Sequence, residues 1–482
     1  MVAIAVTGCV ADREDHQGRA RWVGSRSDPG SSAEGEAFVR PALGQTPDVT
    51  ADGFWSQQLW SVHDDWEPAL AVAPAGSRVY QLTTRYGAAF GKPDPAVVFR
   101  SSADSAVVWG EDRLLESAPV TQNDPQLVAG PDGRLAAAWI EGFEPGVKVA
   151  ISSDHGVTWS APWTILRPGF PPAWSDKPIL AASSDGRRVF VAFNASDSWV
   201  ARSSDFGATF DLPRRTSDDG RYWFHNGGAV GPDGAIWFAA VDFSQDYLGP
   251  SHIRLISSRD GGDSWQSAVV DSSLQLPPCD WDPGCPFGFL GPTAAVAVDG
   301  AGRVVVAYSA VRQAGGPLRL FVRWRSGTGW SAPVEVGPTS GESFAHATFP
   351  ALAAGPTPGD FRLVWQDAAA GTGFWNTRLR RSRDGGRTWG PAVRLSDRGD
   401  GAPYKDPRGY AFPYGDYLEI EVDAAGREHV VWGEGSGWQG PGNVWWTRRD
   451  GSLSLFLDGF ESGDLTAWSA TQSLGSAASR SR

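Results

Sequence analysis

The chain has few cysteines, a deficit of positive charge, no sustained helical periodicity and no long apolar run. Three cysteines in 482 residues allow one disulfide and leave one thiol over. That usage suits an exported protein better than a cytosolic one. Lysine and arginine total 42 against 55 acidic residues, and the net charge of −13 argues against a nucleic-acid partner. Beyond the N-terminal segment, no run is apolar and long enough to cross a membrane as a helix. The remaining signal is short alternating runs separated by glycine-containing turns, which predicts antiparallel sheet throughout.

Tryptophan is abundant, with 24 copies, and many of them close a repeated motif. The stretch Ser152-Ser153-Asp154-His155-Gly156-Val157-Thr158-Trp159 recurs at Ser204-Asp205 through Phe210. With one extra residue it recurs at Ser258 through Trp265 and at Ser382 through Trp389. A worn copy runs from Ser102-Ala103-Asp104 to Trp109, and distorted ones lie at Arg325–Trp330 and Thr447–Gly451. An aspartate followed two residues later by glycine is turn chemistry: the carboxylate accepts amides ahead of it, and glycine supplies a positive φ. The aromatic then starts a new strand and buries a large apolar area.

Before each copy stands a short apolar run, a turn and an alternating strand. The seven instances begin at Glu67-Pro68, Asp124-Pro125, Lys177-Pro178, Asn226-Gly227, Gly291-Pro292, Phe349-Pro350 and Asp416-Tyr417. Each unit is about 50–65 residues, enough for a four-stranded antiparallel blade. The pattern predicts an all-β propeller with seven blades, or six if one unit is an insertion. The seventh unit lacks an obvious outer strand. Gly53 through Val62 is the segment available to supply it and close the ring.

The Ser-x-Asp-x-Gly-x-Thr-Trp repeat resembles the Asp-box, or BNR repeat, of the sialidase superfamily. The resemblance implies that Asp104, Asp154, Asp205, Asp260 and Asp384 are structural, on outer hairpins away from any active site. It implies a glycan or glycoprotein partner, and an exo-α-sialidase-like glycoside hydrolase if the protein is an enzyme. Tyr414-Gly415-Asp416-Tyr417 resembles the region of the family's tyrosine nucleophile, which makes Tyr414 the candidate. Asp94 falls near the family's acid/base aspartate, and Arg85 near one of its arginines. Where the family's first arginine grips a carboxylate, this chain has Glu67, and a complete arginine triad cannot be assembled.

The inner strands of a propeller start around its channel, so their first residues form a natural site. Here they offer Glu67, Asp124, Asp176, Lys177, His225, Asn226, His346, Asp416 and Tyr417. Three readings compete. Glu67 with Asp124 or Asp176 forms an acid/base pair of a hydrolase. Alternatively, channel-mouth aromatics such as Trp66, Trp174, Trp223 and Trp281 stack on sugars in a non-catalytic surface binder for glycan or protein. Third, Glu67, Asp124, Asp176 and Asp416 hold Ca²⁺, although no cofactor is required.

The ends carry their own signals. Ala5-Val6-Thr7-Gly8-Cys9 resembles a lipobox, which implies lipidation of Cys9 after a truncated signal at 1–8. Residues 9–52 read as a flexible tether, 53–456 as the propeller and 457–482 as a C-terminal tail. Cys279 and Cys285 flank a short loop that a disulfide would staple. Together these predict export to the surface, periplasm or exterior of a bacterium, with membrane contact only through the lipid.

Overall fold

The computed structural model describes residues 11–14, 20–22 and 49–450, except 51, 88–94, 117–119, 143–145, 166–174, 218, 244–249, 277–291, 328, 338–343, 370–371, 397–403 and 438–441. The chain is a seven-bladed β-propeller. Each blade is an antiparallel meander running outward from the axis. Blade 1 comprises Asp65–Val72, Val79–Arg85, Ala96–Ser102 and Arg113–Leu114. The inner strands of blades 2 to 6 are Gln122–Ala129, Asp176–Ala182, Tyr222–Val230, Ala294–Val298 and Phe344–Ala354. Blade 7 starts with Phe412–Val422 and continues through Glu428–Gly435 and Gly442–Arg449.

The seventh blade takes its outer strand from the start of the chain. Gln58 and Leu59 pair with Trp446 and Trp445. The amides of Trp55 and Trp60 donate to Arg448 and Val444 on either side of that pair. Seven buried clusters follow the blade junctions. Leu70 and Val79 of blade 1 meet Val431 and Val444 of blade 7 in one of them, with Trp55, Trp60 and Trp446. An open ring would lack this junction, so the packing establishes closure. Alanines such as Ala69, Ala71, Ala181 and Ala351 are buried on inner strands, where the blades converge. Ahead of the ring, Ala11–Glu14 pairs with Ala20–Trp22, so the segment expected to be a tether contains a two-stranded piece.

The repeated turns sit at the end of each blade opposite the inner-strand starts. Ser152 Oγ accepts the Gly156 amide at 2.8 Å and donates to Asp154 Oδ1 at 2.8 Å. Asp154 in turn accepts the amide and hydroxyl of Thr158 at 2.9 and 2.5 Å. Asp205, Asp260 and Asp384 repeat these bonds with Thr209, Ser264 and Thr388. Asp104 keeps the amide of Val108 at 2.9 Å, but that residue has no hydroxyl to give. The Thr158 hydroxyl and amide hold Asp154 down at about 2. These carboxylates are spent on their own turns.

Candidate functional site

Inner strands are bulged near their starts in blades 1, 2, 3, 4, 6 and 7. Four of the bulges share a device. Glu67, Asp124, Lys177 and Phe349 have φ of 50°, 52°, 51° and 55°. Each precedes a proline, which has no N–H for the ladder, so the register must skip there. A side-chain-bearing residue in the left-handed region costs about 1–2 kcal/mol. Three of these strained positions carry ionisable groups, all at one end of the channel.

The groups are linked from blade to blade. Glu67 Oε2 accepts the Thr84 hydroxyl at 2.7 Å and the Asp124 amide of blade 2 at 2.9 Å. The Asp124 carboxylate lies 3.3 Å from Lys177 Nζ of blade 3, with both side chains buried. That ammonium stands 4.8 Å from the Phe224 ring of blade 4 and 5.0 Å from the Tyr417 ring of blade 7. Asp176 accepts the Lys177 amide at 2.8 Å and the Tyr222 hydroxyl at 2.7 Å. The structure thus brings Glu67, Asp124, Asp176, Lys177 and Tyr417 into one connected network.

Other expected residues stand apart from it. His225 is fully buried, its Nε2 2.9 Å from Ser198 Oγ, and desolvation pushes it down to about 3, so the ring is neutral. His346 Nδ1 accepts the Leu318 amide at 3.2 Å, and burial lowers it to about 4. Tyr414 is buried with its ring centroid 3.5 Å from that of Trp66, and its hydroxyl donates to the Gly437 carbonyl. Arg85 is buried between Asp65 at 2.6 Å and Asp112 at 2.5 Å, and Arg100 shares Asp112. Trp66 and Trp223 are buried and donate to Asp64 and Asp219, so neither offers a free face at the mouth. Asp416 lies on the inner strand of blade 7, but its side chain is outside the described residues. Asp94, Trp174, Trp281, Cys9, Cys279 and Cys285 also lie outside them.

Of the acidic residues expected to hold Ca²⁺, Asp124 is paired with Lys177. Among the described residues, no three His, Cys, Asp or Glu side chains are arranged to hold a metal. Among the described residues, further arginines at this end pair with carboxylates of their own blades. Arg221 and Arg254 share Asp242, and Arg378 pairs with Asp367.

Glu419 and Glu421 escaped the sequence reading. Glu419 lines a small cavity with Gln126, Asn226, Thr293, Phe349 and Tyr417. Both glutamates keep a little accessible surface. Protein nevertheless crowds them closely, and desolvation raises Glu419 to about 8 and Glu421 to about 7. The available signal was Glu-Ile-Glu within an inner strand, where solvent does not cover one face.

No family model matches the chain, and no curated protein is similar to it in sequence. Solved structures do share its fold. An ulvan lyase of a new polysaccharide lyase family is 12% identical, with a TM-score of 0.51 over 83% of this chain and 98% of that one. A Hadza microbial sialidase is 17% identical, with a TM-score of 0.45 over 79% of this chain and 75% of its own. A leech intramolecular trans-sialidase is 13% identical, with a TM-score of 0.44 over 85% of this chain and 70% of its own. At these identities the likeness is one of fold.

Proposed function

We propose that the protein is a glycan-binding propeller that takes a neutral glycan at the inner-strand starts. One observation carries this reading: strained, ionisable residues gather at one channel mouth, where a purely structural ring needs only small residues and proline. The same end carries half-buried aromatics, including Tyr86, Trp199, Tyr222, Phe374 and Tyr404, suited to stacking on sugar faces. The ulvan lyase with a similar fold supports a glycan as ligand class.

Binding is favoured over turnover because the candidate catalytic groups have other duties. Glu67 and Asp176 each accept two hydrogen bonds that cap strand starts. Tyr414 faces Trp66 and a backbone carbonyl. The arginines named above are neutralised by their own carboxylates, and Lys177 is held by Asp124. That balance disfavours a ligand rich in carboxylates, such as a sialoside. The test applies the full chain to an array of neutral and acidic glycans, alongside fluorogenic glycosides that include a sialoside. Binding to neutral glycans without turnover is expected, and Tyr222→Phe should weaken it. Turnover of a glycoside that is abolished in Tyr414→Phe or Glu67→Gln would replace this reading with a hydrolase.

A further inference from the structure

Glu419 and Glu421 lie on the inner strand of the blade that closes the ring. Leu418 and Ile420 pack with Phe349 and Val364 of blade 6, so the glutamates between them turn to the opposite face, toward blade 1. Glu419 Oε2 accepts the Leu70 amide of blade 1 at 2.5 Å. The Gln126 side chain of blade 2 also donates to it. From blades 4, 5 and 6, Asn226, Thr293 and Phe349 face the same cavity, and none of them carries charge. Opposite Glu421 on the next strand is His429, whose Nε2 lies 3.4 Å from Asp423. Among the described residues, no lysine, arginine or histidine acts on either glutamate.

Two acids of one sign therefore share a crowded space without a counter-charge. Ionising both would bring desolvation and mutual repulsion together. We propose that Glu419 and Glu421 form a proton-operated latch on the junction between blades 7 and 1. With protons bound, Glu419 ties Leu70 and Gln126 to blade 7 without bringing charge into the channel. With the protons gone, repulsion acts on the inner strand of the blade whose outer edge the two-residue Gln58–Leu59 strand closes.

The direction follows from linkage. In the unfolded chain a glutamate ionises near 4.5, whereas Glu419 and Glu421 do so near 8 and 7 when folded. Between those values the folded state holds more protons, so stability falls as pH rises and levels off above about 8. The buried histidines cannot mimic this, because their lowered values make stability rise rather than fall with pH.

The experiment follows Tm and amide exchange from about pH 6.5 to pH 9 in wild type, E419Q, E421Q and the double variant. Wild type should lose several degrees of Tm, with exchange rising first in residues 65–72 of blade 1. The double variant should lose most of that slope. Should E419Q fail to fold, E421Q alone should still flatten the lower part of the fall. An unchanged slope in the variants would overturn the latch. So would recovery of wild-type Tm by Ca²⁺ or Na⁺ at high pH, with no such effect in the variants, because the pair would then be a cation site.

Discussion

Lys177 shows how one residue can be both strained and indispensable. Its backbone sits at φ 51°, and its ammonium is the neighbour that neutralises the buried Asp124. Lys177→Met should destabilise the fold by about 3–5 kcal/mol, because it leaves a buried carboxylate without that cation. Asp124→Asn added to Lys177→Met should recover much of the loss, and urea denaturation of the three variants measures the coupling. A simple sum of the two losses would show that the pair is not a unit. His225 and His346 define the acidic side of the pH profile. They titrate near 3 and 4 when folded, against 6.5 unfolded. Below 6.5 the unfolded chain binds more protons, so their stabilisation is complete above that pH and is lost on acidification. Between about 4.5 and 6.5 this loss offsets the gain from Glu419 and Glu421, so Tm should change little there in wild type, whereas in His225→Asn it should rise as the pH falls. The residue types at the mouth were legible in the sequence, but their pairings were not. Arg85 meets Asp112, and Lys177 meets Asp124, only after strands and blades are stacked.

At the scale of elements, legibility depends on how local the bonding is. A Ser-x-Asp turn completes its bonds within seven residues, as Ser382 through Thr388 does, so its sequence nearly states its geometry. Ser382→Ala removes the acceptor of the buried Gly386 amide and should cost about 1–3 kcal/mol. Val108→Thr should do the reverse in the worn copy. It would supply the hydroxyl that Thr158, Thr209 and Thr388 already give their aspartates, raising stability by up to about 1 kcal/mol. Calorimetry of both variants checks the signs, and a loss of stability in Val108→Thr would show that the turn is distorted beyond repair. The inner-strand bulges were harder to foresee. Glu-Pro, Asp-Pro, Lys-Pro and Phe-Pro were visible, yet the left-handed backbone ahead of each proline also depends on the neighbouring strand. Glu419 and Glu421 were missed for a related reason. Alternating Glu-Ile-Glu normally marks a solvated strand face, but here that face meets another blade.

For the whole molecule, closure is the decisive event. Blade count and the closing segment were legible because the repeat left the seventh unit short of an outer strand. That shortage defines a physical dependence between the two ends of the ring. Gln58→Pro cannot donate its amide to Trp446 at the edge of blade 7, and removal of residues up to 60 also takes Trp55 and Trp60 from the last junction. The truncated ring would expose Gly442–Arg449 as an unpaired eight-residue edge, a template for association with other chains. The point variant should lower Tm and the truncation should form soluble aggregates, seen by light scattering. A synthetic peptide spanning 53–62 should compete for the open edge and restore monomers to the truncated protein. If the truncation unfolded with the cooperativity and midpoint of the intact chain, the clasp would be ornamental and the ring would be held by its other six junctions. The packing of three tryptophans into the closing junction argues for the first outcome.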